Sequence, residues 1–129
     1  MWDKADTAKT LFKLIDACTQ CRQIFDAWTS SERNPARRSI IDDVQQKLDR
    51  FGLELRNEIR RLGEYENLCP FRFESLPGYS GDVAISHVLD CYQQAFNSRP
   101  TAHTRAMLNR QYSDLCESYH GLDSAKRAA

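Results

Sequence analysis

Apolar residues recur along this chain in alternating steps of three and four. From about Asp6 to Thr29 the series is Leu11, Leu14, Cys18, Cys21, Phe25 and Trp28, the a/d spacing of a helical seam. It predicts a first helix over about residues 6–29, with Asp3 or Asp6 as its cap. The stretch "ERNPARRS" breaks the period. Asn34 reads as an N-cap and Pro35 as the first helical residue, where a missing N–H costs nothing. A second helix, about 35–62, carries Ile41, Val44, Leu48, Phe51, Leu55 and Leu62 on one stripe, with Gly63 placed to end it. Residues 64–80 lose the period and contain Pro70 and Pro77-Gly78, so they read as irregular chain. Phe71, Phe73 and Tyr79 are its expected packing anchors. A third helix, about 82–97, turns Ile85, Val88, Leu89, Tyr92 and Phe96 inward. After the turn "SRPT", a fourth, about 102–124, does the same with Leu108, Tyr112, Leu115, Tyr119 and Leu122. No strand pattern stands out.

Four amphipathic helices predict an all-α four-helix bundle, a single domain over residues 1–129. Its links run short, long, short. Short links make antiparallel hairpins of helices 1–2 and 3–4. The middle link of seventeen residues reaches roughly 55 Å at about 3.3 Å per residue. A 28-residue helix is only about 42 Å long, so helices 2 and 3 can lie parallel. One long crossover in the middle is the ferritin-like arrangement. An up-down-up-down bundle stays open if the loop folds locally.

Composition narrows the partners. The formal charge is zero, from 18 basic and 18 acidic side chains with no long run of one sign, which argues against nucleic acid or an anionic membrane. No apolar run approaches membrane-spanning length, and "MWDKADTAKT" lacks a secretory h-region. A cytoplasmic protein with free thiols is expected. Its five cysteines are an odd number and cannot all pair within one chain.

Two segments carry a family likeness. In "RFGLELRNEIRRLG", residues Phe51, Glu54, Leu55, Glu58, Ile59, Leu62 and Gly63 fit an F-x-x-E-L-x-x-E-[IV]-x-x-L-G helix ending. In "RQYSDLCESYHGL", Arg110, Gln111 and Tyr112 are followed by His120, nine residues after the glutamine. The chain thereby resembles a family of small bacterial ferritin-like domains of unknown function. The resemblance implies a ferritin-like bundle and names no activity. Its acidic positions are depleted here: Arg22 and Gln23 stand where helix 1 of the family tends to carry glutamate, Lys47 and Arg50 near the start of the helix 2 acidic motif, and Ile85 at a helix 3 glutamate position. A ferritin-like di-metal centre draws glutamates and Glu-x-x-His motifs from four helices, so a degenerate site is expected.

The remaining candidates are few. Glu117-Ser118-Tyr119-His120 is an E-x-x-H, but at about 100° per residue both ligands turn away from the stripe. Cys18-Thr19-Gln20-Cys21 is a C-x-x-C in mid-helix, remote from the helix N-terminus that would stabilise a thiolate. Core filling is its expected role. A soft-metal site from Cys18, Cys21, His87, Cys91, Cys116 and His120 stands as the alternative. His103 is expected at the surface, and Cys69 beside Pro70 as an exposed loop thiol. Arg22, Lys47, Glu54 and Glu58 border the stripes, so a core charge network is expected in which Arg22 and Lys47 pair with Glu54 or Glu58. Leu53, Phe12 and Ile24 lie off the stripes and suggest a homodimer or another protein contact. No Gly-rich phosphate cradle or nucleophile–base motif is present. The expected function is a non-catalytic bundle acting through protein contacts. The alternative is a metal-binding protein or oxidase with iron, zinc or copper held by Glu54, Glu58, Glu117, His120, Cys18 or Cys21.

Overall fold

The computed structural model describes the backbone of residues 4–63 and 81–128, and the side chains of residues 7–63, 81 and 83–122. Four helices fill them: α1 (Lys4–Ser31), α2 (Pro35–Arg61), α3 (Gly81–Asn97) and α4 (Ala102–Ala128). The expected cap Asp3, the loop anchors Phe71, Phe73 and Tyr79, and Cys69 lie outside the described residues. Asp6 falls inside α1, and Gly121 is accommodated within α4.

The α1–α2 turn is fixed locally. Asn34 Oδ1 accepts the Ala36 N–H at 3.0 Å, and Pro35 opens the helix. Trp28 Nε1 donates to Glu32 Oε2 at 2.9 Å, and the other oxygen of that carboxylate accepts the Asn34 N–H at 3.1 Å. At the far end of α2, Gly63 takes φ +77°, the left-handed conformation that lets a glycine close a helix at little cost.

Each helix has two main neighbours: α1 packs on α2 and α3, and α4 packs on α2 and α3. The contacts also give direction. Thr29 meets Gln45 while Arg22 meets Asp49, so α2 runs antiparallel to α1. Lys47 meets Ser118, and Glu58 meets Thr104, so α4 runs antiparallel to α2. Gly81 abuts Phe25 and Trp28 near the end of α1, while Lys9 and Lys13 border a cleft with Gln94 and Asn97. Hence α3 is antiparallel to α1 and parallel to α2. Residues 63 and 81 lie at opposite ends of the bundle, and the up-down-up-down alternative is excluded. A Cβ on Gly81 would fall on the Trp28 ring, so the close approach of α3 to α1 requires that glycine.

The seams of α1 and α2 bury as expected except at Trp28, which is half-buried: Leu11, Leu14, Cys18, Cys21 and Phe25 on one, Ile41, Val44, Leu48, Phe51, Leu55 and Leu62 on the other. Each large hydrocarbon side chain so removed from water contributes roughly 1.5–3 kcal/mol. Phe12 and Ile24, expected at the surface, are half-buried against the core, because α1 meets two neighbours and buries a wide arc. The inward direction of α4 also differs from expectation. Its buried positions are Thr104, Leu108, Gln111, Leu115, Ser118 and Leu122. Tyr112 and Tyr119 are only half-buried. Tyr112 instead lies edge-on to Tyr92 and Phe96, each with ring centroids 5.9 Å away, a favourable aromatic geometry.

Candidate functional site: a polar seam between α2 and α4

The seam of α2 steps through Ile41, Val44, Leu48, Phe51 and Leu55 to Glu58 before reaching Leu62. Glu58 thus occupies an interior position, and its side chain is 2% exposed. A buried carboxylate requires donors. Thr104 Oγ1 donates to Oε2 at 3.0 Å, His103 Nδ1 lies 2.8 Å from the same oxygen, and Arg61 Nε binds Oε1. Thr101 Oγ1 donates in turn to Thr104 Oγ1 at 3.2 Å. Burial works to raise the Glu58 pKa, but hydrogen bonds from Arg61, His103 and Thr104 outweigh it and hold the carboxyl below its ordinary value. The carboxylate also sits against the first turn of α4, where the helix dipole favours negative charge.

One turn back along α2, Glu54 makes the second contact. Gln111, fully buried on α4, donates through Nε2 to Glu54 Oε1 at 3.1 Å. Arg110 donates to the other oxygen at 2.6 Å. The Gln111 carbonyl oxygen accepts the Tyr92 hydroxyl at 2.8 Å. Burial keeps that hydroxyl's pKa well above its ordinary value, so Tyr92 is a neutral donor. A hydrogen-bonded chain therefore crosses the interior from α3 through α4 to α2.

Lys47 makes the third contact, donating to Ser118 Oγ at 2.8 Å and approaching the Asp114 carbonyl oxygen at 3.4 Å. Its ion-pair partner is Asp43 at 3.1 Å. Arg22 is exposed and pairs with Asp49 at 2.5 Å. The expected pairing of Arg22 and Lys47 with Glu54 or Glu58 is thus replaced. The two acids turn toward α4 and take their donors there and from Arg61. Arg22 finds a nearer acid at the surface, where the desolvation cost is small, and half-buried Lys47 reaches the exposed Asp43 while also donating to Ser118.

The apolar spacing does not mark His103 and Thr104 as partners of Glu58, or Gln111 as an interior group. A signal for them exists. Thr104, Gln111 and Ser118 recur every seven residues, alternating with Leu108, Leu115 and Leu122. Following the tyrosines masked this second, half-polar heptad.

The other candidates stand apart. Glu117 and His120 are exposed, and the His120 ring lies edge-on to Tyr119. Cys18 and Cys21 are buried thiols. Burial pushes Cys21 up to about 12. It pushes Cys18 higher still, with Cys21 and Cys91 adding to the effect. His87 Nε2 is 3.9 Å from Cys91 Sγ, but His87 itself is exposed. The donor set does not fit a four-helix di-metal centre. The inward acids come from α2 alone and face Arg61, His103, Arg110 and neutral donors, while α1 and α3 turn thiols and hydrocarbon inward. Among the described residues, no three or more His, Cys, Asp or Glu side chains are grouped to hold a metal ion. Among the same residues, no helix is long and apolar enough to cross a membrane. Compared with protein-family models, curated proteins and solved structures, the chain matches none.

Proposed function

We propose that this chain is a non-catalytic helical bundle, of ferritin-like descent, that acts through contacts with protein. One observation carries the reading: both inward carboxylates are already committed. Glu58 receives Arg61, His103 and Thr104, and Glu54 receives Arg110 and Gln111. A general acid or base needs an oxygen within reach of a substrate proton, and a metal ion would have to displace these donors, Arg61 and Arg110 among them. Here Glu58 Oε2 and both Glu54 oxygens tie α2 to α4, and Glu58 Oε1 binds Arg61 within α2. The parallel course of α2 and α3 agrees with the ferritin-like resemblance, and the retained but repurposed glutamates agree with a degenerate di-metal site. Buried free thiols suit a reducing, cytoplasmic setting.

Elemental analysis of freshly purified protein tests the reading. The expected result is iron, manganese, zinc and copper each far below one equivalent per chain. Near-stoichiometric metal, lost on Glu58→Ala, would overturn it and make the chain a metal-binding protein.

A further inference from the structure

Taking the chain as a contact protein, we propose that the outer face of α2 is a twofold docking surface, on which a second copy of this chain packs antiparallel across residues 52 and 53. Leu53 is 64% exposed and, with Val83, is one of two large hydrophobic side chains so exposed among the described residues. Immediately beside it, a groove of about 360 Å³ runs between α1 and α2, floored by Ile15 and Leu48. Gly52 opens that groove, since a Cβ there would meet nothing within 4 Å. An apolar knob and a groove with an apolar floor, rimmed by Thr19, Arg22, Asp49 and Arg56, are therefore neighbours on one helix face.

An interface about a twofold axis must be self-complementary. With the axis between residues 52 and 53, each position meets the one equally far on the other side. Leu53 then enters the groove at Gly52 of the second copy, and Asp49 meets Arg56 of the second copy. Asp49 and Arg56 are seven residues apart, on the same face as Leu53 and opposite in charge. Arg56 has no ion pair among the described residues, while Asp49 offers a carboxylate already oriented by Arg22. The same face continues with Asp42 on one side of the axis and Arg60 on the other, three residues from direct register. Antiparallel docking sets the acidic half of one copy against the basic half of the other. Parallel docking would oppose like charges, which disfavours that register.

Sedimentation of the full chain at micromolar concentration tests the surface. The wild type is expected at twice its 14.9 kDa chain mass. Leu53→Arg is expected to be monomeric with unchanged helical circular dichroism. Asp49→Lys and Arg56→Asp are each expected to weaken self-association at least tenfold. Mixed together, those two variants are expected to form a heterodimer, because each then carries one sign of charge at both positions 49 and 56. A monomeric wild type, a Leu53→Arg dimer, or two charge variants that stay apart when mixed would each overturn the proposal. Those outcomes leave the metal analysis, and with it the contact-protein reading, untouched.

Discussion

Along α2 and α4 the interior layers alternate between hydrocarbon and hydrogen bond: Leu108, Leu115 and Leu122 interleave with Thr104, Gln111 and Ser118, which meet Glu58, Glu54 and Lys47. Along α1 and α3 the equivalent layers run through Leu11, Leu14, Cys18, Cys21, Phe25, Ile85, Val88 and Cys91, with Thr7, Gln20 and the Tyr92 hydroxyl as their buried polar groups. The two seams differ in what they specify. An apolar seam gains from burial almost irrespective of which hydrocarbon meets which. A half-polar seam tolerates one register, because a shift of one turn would strand buried donors and acceptors. In this bundle, α1 and α3 supply adhesion and α2 and α4 supply alignment.

The sharpest way to break the contrast is to put hydrocarbon into the polar seam. Gln111→Leu removes the acceptor of the buried Tyr92 hydroxyl, and the loss is expected to be about 2–3 kcal/mol, read by urea unfolding. Adding Tyr92→Phe removes the stranded hydroxyl, so the double variant is expected to recover part of that loss. Strict additivity would mean that the hydroxyl and amide are not coupled.

Acid should act on the polar seam first. The folded Glu58 carboxyl titrates below its ordinary value of 4.5, so the unfolded chain binds more protons between the two values. Its contribution is complete above the unfolded value and is lost as pH falls through the folded one. Glu58→Gln is expected to flatten that part of the stability–pH curve. An unchanged slope would place the acid sensitivity elsewhere.

The thiol seam should be the more tolerant. Cys18→Val keeps the site apolar and is expected to shift stability by less than about 1.5 kcal/mol. Native Cys18 and Cys21 are expected to resist alkylation, because burial keeps them protonated and out of reach. Among the described cysteines, the half-buried Cys116 should label first in a peptide map. The smallest effect belongs to the surface: the Arg22–Asp49 coupling in a double-mutant cycle is expected at about 0.2–1 kcal/mol, and that of Arg22 with Glu58 at zero.

Much of the polar seam was within reach of the sequence. The step from Leu55 to Leu62 skips one seam position, and Glu58 fills it. An acid at such a position announces a buried charge that needs partners. On α4, tyrosine and glutamine sit side by side at 111–112, and serine and tyrosine at 118–119. Hydrophobicity favours the tyrosines, yet the smaller or amide-bearing neighbour takes the interior. A tyrosine can bury its ring at the edge of a seam and keep its hydroxyl near water, whereas Gln111 has a donor and an acceptor that Glu54 and Tyr92 satisfy together. His103 could not be placed as a partner of Glu58, since nothing in its neighbours along the chain marks a residue 45 positions away.

The spacing of apolar residues settled that there are helices and how many lie in the described chain, and the Asn-Pro start and glycine stop fixed the ends of α2, because these are local properties of the backbone; α1 and α4 run beyond their expected ends. Proximity was decided only in three dimensions. Which acid took which cation, which face of α4 turned inward and that α2 runs parallel to α3 all depend on competition among partners distant in sequence. The winner of that competition is set by desolvation and packing in the assembled bundle.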